Sequence, residues 1–131
     1  MKMENLQGKC LCGKTVLTVS QITHDLTVCH CSMCRKQAAG PMFYTERVPD
    51  DQIHFNQRQT VGLYPSSKEI ERGFCNQCGT FLFFRNTKHQ MTAINPELFD
   101  EQISVLNFEK EIYYDDKPDY YIFANKTVKR P

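Results

Sequence analysis

The chain consists of short runs of aliphatic, β-branched and aromatic residues that are interrupted by turn-forming residues. Gly8, Gly13, Gly40-Pro41 and Pro65-Ser66-Ser67 are examples of these interruptions, and such residues favour turns and loops. The runs between them are too short for long helices and are rich in residues that pack well on a pleated sheet. We predict strands over six runs: Thr15 to Val19, Leu26 to Val28, Ile53 to Phe55, Thr80 to Phe84, Met91 to Ile94 and Tyr120 to Phe123.

Helix is predicted in only two places. Ser32 to Ala39 follows a cysteine, and Pro96 to Phe99 follows Asn95, which can cap a helix that has Pro96 in its first position. The predicted fold is therefore mainly β with little helix. A chain of 131 residues has the length of one domain, so we expect a single domain over residues 1–131.

Composition and charge exclude several classes of protein. Hydrophobic residues make up 40% of the chain and charged residues 24%, an ordinary balance for a folded protein. The net charge of +1 provides no overall positive potential that would attract nucleic acid, and we expect no such partner.

The longest apolar run, Phe81 to Phe84, is far below the roughly 18 residues that cross a bilayer, so no membrane partner is expected. Residues 1–8 do not have the pattern of a secretory signal, which favours a reducing, cytoplasmic location.

Cysteine is the residue type that stands out. The seven cysteines form Cys10-Leu11-Cys12, Cys29-His30-Cys31-Ser32-Met33-Cys34 and Cys75-Asn76-Gln77-Cys78. In extended backbone, residues two apart point to the same face, so each Cys-x-Cys pair can bind one ion together. Cys75 to Gly79 has the form of a turn that brings two thiols together. In a reducing compartment such clusters indicate metal ligands or redox groups.

Zinc is the predicted metal, because thiolate-rich tetrahedral sites select zinc or iron–sulfur clusters. Buried free cysteine is the alternative, but it does not explain three short-spaced clusters. Four thiols close a structural zinc site, and three leave a position open for water or substrate. Spacing alone leaves the partition open, and Cys31 and Cys34 with Cys75 and Cys78 would also make a ribbon-like site.

The sequence resembles the glutathione-dependent formaldehyde-activating enzyme family, which also contains centromere protein V. The resemblance covers most of the chain, and it rests on motifs that agree in order and spacing: Gly8 to Gly13, Cys29 to Lys36 with Gly40 and Phe43, Tyr64 to Ser67, and Phe74 to Leu82.

The resemblance implies a partition of the cysteines and a reaction. Cys10, Cys12, Cys75 and Cys78 would hold a structural zinc, and Cys29, Cys31 and Cys34 a catalytic zinc, so two zinc ions per chain are expected. The implied fold is a β tent of antiparallel sheets. The implied reaction is the addition of glutathione to formaldehyde, which is a carbon–sulfur lyase reaction run in the joining direction.

Cationic and polar residues near the cysteines are candidates for contact with substrate. Arg35 and Lys36 follow Cys34 and could offset thiolate charge or bind glutathione carboxylates, although solvated surface charge explains them equally well. Arg72, Ser66 and Ser67 could also line the pocket, and a turn at Pro65 explains the serines without a function.

The chain departs from the family pattern near its C-terminus. Glu111-Ile112 and Tyr120 stand where many family members have His-Ile and Trp. An acid at position 111 would repel a carboxylated ligand if it lay near the pocket.

His30 and the general function each have alternatives. His30 lies between two cysteines on an extended segment, so its side chain should point away from theirs and should pack or form hydrogen bonds rather than bind metal. For the protein as a whole, the alternative to an enzyme is a non-catalytic, zinc-stabilised binding or scaffold domain. The sequence does not predict the oligomeric state.

Overall fold

The computed structural model describes residues 2–131, and the side chains of all of these except residues 2, 101 and 103–105. Its strands are β1 (Lys2–Lys9), β2 (Val16–Thr23), β3 (Asp25–Cys29), β4 (Met42–Thr45), β5 (Val48–Pro49), β6 (Ile53–Phe55), β7 (Val61–Pro65), β8 (Ile70–Cys75), β9 (Phe81–Asn86), β10 (Met91–Ile94), β11 (Asn107–Ile112) and β12 (Val128–Lys129). The helix α1 spans Ser32–Ala38, and 3₁₀ turns span Asp50–Gln52, Pro96–Val105 and Tyr114–Asp116. The fold is mainly β, as predicted.

The strands form three sheets. Their orders are β1-β2-β6, β5-β10-β9-β8-β7 and β12-β11-β3-β4. Most neighbouring strands are antiparallel, as expected, but β11 runs parallel to both β3 and β12. The last strands therefore enter the four-stranded sheet from a distant part of the chain rather than through a hairpin.

Two apolar clusters fill the space between the sheets. The larger one joins the three-stranded and five-stranded sheets and includes Leu17, Val19, Leu82, Ile94 and Phe99. The smaller one consists of Cys29, Cys34, Met42, Tyr44 and Ala93, with Phe81, Phe84 and Ile112 packed against it. The smaller cluster therefore places two cysteines between the four-stranded and five-stranded sheets.

Both helical predictions are confirmed. Cys31 is the N-cap of α1, and its sulfur accepts a hydrogen bond from the Cys34 backbone N–H at 3.3 Å. Asn95 Oδ1 accepts from the Glu97 backbone N–H at 2.9 Å at the start of the 3₁₀ segment. No helix of residues 2–131 combines the length and the apolar character that crossing a membrane requires.

Five of the six predicted strands are confirmed, and the prediction for Tyr120 to Phe123 is wrong. These residues form a turn followed by irregular backbone. Tyr120 and Ile122 are each 76% exposed, whereas Tyr121 and Phe123 are half-buried and pack their rings on the four-stranded sheet. Exposed and half-buried residues thus alternate in this segment although it pairs with no strand. A segment that lies against a sheet and packs every second side chain on it produces the same pattern as a strand.

The sequence pattern does not predict several of the strands. They are β1, β4, β7, β8 and β11, together with the two-residue strands β5 and β12. In β1 and β11, polar residues occupy most positions. Their pairing is decided by neighbouring strands rather than by a local hydrophobic pattern.

Candidate metal centres

Four cysteines from two distant parts of the chain meet at one point. The sulfur atoms of Cys10, Cys12, Cys75 and Cys78 all lie within 4.8 Å of one another. Cys10 Sγ is 3.6 Å from Cys12 Sγ, and Cys12 Sγ is 3.9 Å from Cys75 Sγ. Cys10 and Cys75 are buried, whereas Cys12 is exposed. The cluster joins the turn after β1 to the end of β8.

Two similar turns present these four thiols. Each turn has a glycine directly after its second cysteine, and Gly13 (φ +80°) and Gly79 (φ +81°) both adopt the left-handed conformation that glycine tolerates best. The Gly79 backbone N–H donates to the Cys75 carbonyl at 2.8 Å. A hydrogen bond with Thr80 lowers the pKa of the Cys78 thiol to about 5. The second turn therefore favours the thiolate form of Cys78 that metals bind. In the first turn, a backbone hydrogen bond from Lys14 lowers the pKa of Cys12, but desolvation and hydrogen bonds with the other three thiols of the cluster outweigh it and raise this pKa to about 11.

The other three cysteines form a second cluster. The sulfur atoms of Cys29, Cys31 and Cys34 lie within 4.8 Å of one another. Cys29 ends β3, Cys31 caps α1, and Cys34 lies in the first turn of that helix. The helix, rather than a knuckle turn, brings Cys34 back to the other two.

Tyr44 and Arg72 surround Cys34. The Tyr44 hydroxyl oxygen lies 2.5 Å from Cys34 Sγ, and the Arg72 guanidinium donates to the same sulfur from Nη1 at 3.6 Å and Nη2 at 3.5 Å. Hydrogen bonds with Cys29, Tyr44 and Arg72 lower the pKa of Cys34 to about 5. The same contact with Cys34 raises the pKa of Cys29, and burial raises that of Tyr44. The pocket therefore favours negative charge on the sulfur of Cys34.

The three-cysteine cluster opens into a cavity of about 940 Å³. All three cysteines line this cavity, and of the residues that the structure describes, none of the other four cysteines does. The wall carries charges of both signs: Asp25, Glu46, Glu109 and Asp116 against Arg47, Arg72 and Lys110. The three-thiol cluster is thus accessible to a small polar molecule.

The opposite face of the four-stranded sheet holds a buried polar network. His30 is fully buried, and its Nε2 donates to Glu111 Oε1 at 2.8 Å, while its Nδ1 lies 2.6 Å from the Tyr121 hydroxyl. Thr127 Oγ1 donates to Glu111 Oε2 at 2.5 Å. Burial opposes ionisation of Glu111, but hydrogen bonds with Thr127 and His30 outweigh it and lower the pKa of this carboxyl. The prediction that His30 points away from the cysteines to form hydrogen bonds is confirmed.

Glu111 does not face the cavity. A bulge between Phe108 and Lys110 sets the register, so that Glu111 lies opposite Val28 and Ile112 lies opposite Cys29. Ile112 and Cys29 line the cavity, whereas Glu111 is 1% exposed on the other face. The acid at position 111 therefore does not meet a ligand in the cavity.

Some of the residues predicted to contact substrate line the cavity, and others do not. Arg72 and Ser67 line the cavity, and Ser66 Oγ accepts from Arg72 Nε at 3.1 Å. Arg35 donates from Nε to the His30 carbonyl at 2.9 Å, Lys36 is exposed, and the cavity lining within residues 2–131 includes neither. Sequence reasoning missed Tyr44, which lies in a short strand without a motif of its own.

The chemistry of the donor sets suits metal binding at both clusters. Each cluster offers several thiols within a few ångströms and, for the described residues, the cysteines are all free. Thiolates are ligands for soft and borderline metal ions. Both clusters could therefore hold a metal ion.

The chain is similar in sequence and in fold to known proteins. The model of the family described as glutathione-dependent formaldehyde-activating enzyme matches residues 5–116. An uncharacterized lyase of Schizosaccharomyces pombe is 36% identical over 126 residues, which are 95% of this chain and 90% of the yeast protein. A crystal structure of a Rhodobacter sphaeroides protein shares the fold with a TM-score of 0.62 and 18% identity, over 73% of this chain and 89% of that one. The family match extends over most of the chain and includes both cysteine clusters, and the chain therefore belongs to the glutathione-dependent formaldehyde-activating enzyme family.

Proposed function

We propose that this protein is a zinc-dependent carbon–sulfur lyase that joins a glutathione-type thiol to formaldehyde or a related small aldehyde. The observation that carries the proposal is the contrast between the two cysteine clusters. Four thiols meet outside the cavity, whereas Cys29, Cys31 and Cys34 open into it. Family membership and the name of the yeast relative support a lyase.

The sulfur positions are compatible with zinc. Zn–S bonds of about 2.3 Å at tetrahedral angles separate neighbouring sulfurs by about 3.8 Å. The distances of 3.6 Å and 3.9 Å from Cys12 Sγ to its neighbours are close to this separation. We assign a structural zinc to Cys10, Cys12, Cys75 and Cys78, and a catalytic zinc to the three-cysteine cluster.

In the reaction, the thiol sulfur forms a bond to the aldehyde carbon, and the thiol proton finally resides on the former carbonyl oxygen. Cys29, Cys31 and Cys34 would hold the zinc ion, which would lower the pKa of a bound thiol so that the thiolate forms at neutral pH. Arg72 and Tyr44 hold the Cys34 side of the site through direct contacts with its sulfur. Ile112 and Ala93 contribute apolar surface to the cavity wall near the cysteines.

The cavity wall offers cations for the carboxylates of a peptide thiol. Arg47 and Lys110 line it, and a guanidinium can bind a carboxylate through two hydrogen bonds. Contact of Arg35 or Lys36 with substrate stays a prediction from the sequence.

Zinc content and a glutathione titration test the proposal together. Elemental analysis of protein purified under reducing, chelator-free conditions is expected to give two zinc ions per chain. In an NMR titration, glutathione should shift the signals of residues 29–34 and leave those of residues 10–13 and 75–79 unchanged. S-methylglutathione is the matched control, because it keeps both carboxylates but has no thiol, and it should shift residues 29–34 much less.

Activity is measured by NMR exchange between ¹³C-formaldehyde and its glutathione adduct. The wild-type protein should accelerate this exchange, and Cys31→Ser should not. Two zinc ions with no response to glutathione would instead support a zinc-stabilised scaffold. Equal shifts with glutathione and S-methylglutathione would show that the thiol does not reach the metal.

A further inference from the structure

Arg72 is a buried cation in the wall of the cavity. It lies on β8, is 3% exposed, and directs its guanidinium at the three-cysteine cluster. Its side chain also lies over the ring of Phe84, with 5.3 Å from Cζ to the ring centroid. An arginine remains charged at every pH at which proteins fold, so a positive charge is present here permanently.

A buried charge is unfavourable unless an opposite charge lies close to it. Arg72 Nε donates to Ser66 Oγ at 3.1 Å, and Nη1 donates to Gln37 Oε1 at 3.0 Å. Both partners are neutral. Among the described residues, no carboxylate forms an ion pair with Arg72. Among the described residues, the guanidinium interacts with two groups that can carry a negative charge, the thiol of Cys34 and the phenol of Tyr44. Burial raises the pKa of Tyr44 and so keeps it neutral, which leaves the sulfur of Cys34 as the anionic partner.

Arg85, on the neighbouring strand β9, shows the contrast. It pairs with Asp50 at 2.5 Å and with Glu71 at 2.9 Å, and it is 28% exposed. Arg85 thus has the usual carboxylate partners of a partly buried arginine. Arg72 has no such carboxylates among the described residues. Its Nη1 and Nη2 atoms instead lie within 3.6 Å of the sulfur of Cys34.

We propose that Arg72 is the charge-compensating residue of the three-cysteine metal site, where it offsets the negative charge of the thiolate ligands and of a bound thiolate substrate. This inference rests on the proposed function. Three thiolates and Zn²⁺ carry a net charge of −1, and a fourth thiolate makes it −2. The positive charge of Arg72 brings these net charges to 0 and −1. The effect is strong because little water screens charges in a buried site. Arg72 acts through Cys34 and is therefore a positioning residue.

The test measures Zn²⁺ affinity at each site. The zinc-loaded full chain is titrated with a competing chelator, and the NMR signals of residues 29–34 and of residues 75–79 report release from the two sites. In Arg72→Met, the three-cysteine site should bind Zn²⁺ about ten- to a hundredfold more weakly, the usual loss when a residue that supports metal ligands is removed. The four-cysteine site should be unchanged.

Two further variants distinguish charge from packing. Arg72→Lys keeps the charge without the two-pronged geometry, so it should recover part of the affinity. Arg85→Met removes an arginine of the neighbouring strand and should leave Zn²⁺ affinity at the three-cysteine site unchanged. Chemical denaturation in the Cys31→Ser background, which keeps zinc only at the four-cysteine site, provides a second readout, in which Arg72→Met should be at least as stable as Arg72 because it no longer buries a cation.

Several results would overturn the inference. Wild-type affinity in Arg72→Met, or an equal loss in Arg72→Lys and Arg72→Met, would remove the role of charge. An equal loss at both metal sites would indicate a general structural role. If wild-type protein binds no zinc at the three-cysteine site, the proposed function itself fails, and the wild-type titration shows this before any variant is compared.

Discussion

Replacing Cys75 by serine is expected to abolish folding, whereas replacing Cys31 by serine should leave a folded protein with one zinc ion fewer. Cys75 is fully buried and belongs to the cluster that joins chain position 10 to position 78. Structural zinc binding contributes about 10–16 kcal/mol in small domains, which is as large as the whole stability of a typical protein, about 5–15 kcal/mol. Loss of one ligand there therefore removes most of the stability.

Cys31 is only half-buried, and its cluster does not link distant parts of the chain. Its cluster connects residues only a few positions apart, so metal binding there closes no long loop. Serine is also a good N-cap residue and can replace the cap that Cys31 provides for α1. We expect Cys31→Ser to keep the circular dichroism spectrum and the dispersed NMR signals of the wild type, with elemental analysis showing one zinc ion.

Cys12→Ser is the matched control for Cys75→Ser. Cys12 is exposed, so its replacement removes a ligand with little loss of packing. Unfolding of both variants would assign the effect to the metal. Unfolding of Cys75→Ser alone would assign it to the core, and equal collapse of Cys31→Ser and Cys75→Ser would contradict the separate roles of the two clusters.

Replacing Glu111 by alanine should destabilise the protein by about 1–4 kcal/mol, because a buried donor loses its acceptor at roughly 1–3 kcal/mol and a half-buried donor loses its acceptor at a smaller cost. These donors are His30 Nε2 and Thr127 Oγ1. The substitution also removes the anion near Lys129, whose Nζ lies 3.7 Å from Glu111 Oε2. Urea denaturation of the zinc-loaded protein measures the difference in free energy of unfolding.

Glu111→Gln and Glu109→Ala are the controls. Gln keeps an acceptor for His30 and should cost clearly less than Ala. Glu109, two residues earlier on β11, is exposed, so its replacement should change stability by less than about 0.5 kcal/mol. A small effect of Glu111→Ala, equal to that of Glu109→Ala, would show that the His30 network contributes little to folding.

Candidate metal binding and part of the fold can be predicted from the amino-acid sequence. Cysteine spacing indicated metal binding because neighbouring thiols can bind one ion only at short, defined separations. The strands with strong apolar runs and the helix after Cys31 could also be predicted, since local propensity and packing agree there. The partition into four and three ligands came from a family resemblance and not from spacing, because contact between residues 10 and 75 is a property of the folded chain.

The surroundings of the cysteines, by contrast, are a property of the folded chain. The burial of Arg72 against Cys34 depends on the packing of β8 against α1 and β4, which no local pattern records. The position of Glu111 depends on one bulge in β11, since a shift of one residue moves a side chain to the other face of a sheet. Tyr121 and Phe123 alternate like strand residues but pack as a tail on that face. A sequence pattern indicates whether a side chain is buried or exposed. Which residues pack against that side chain depends on contacts between distant segments of the chain.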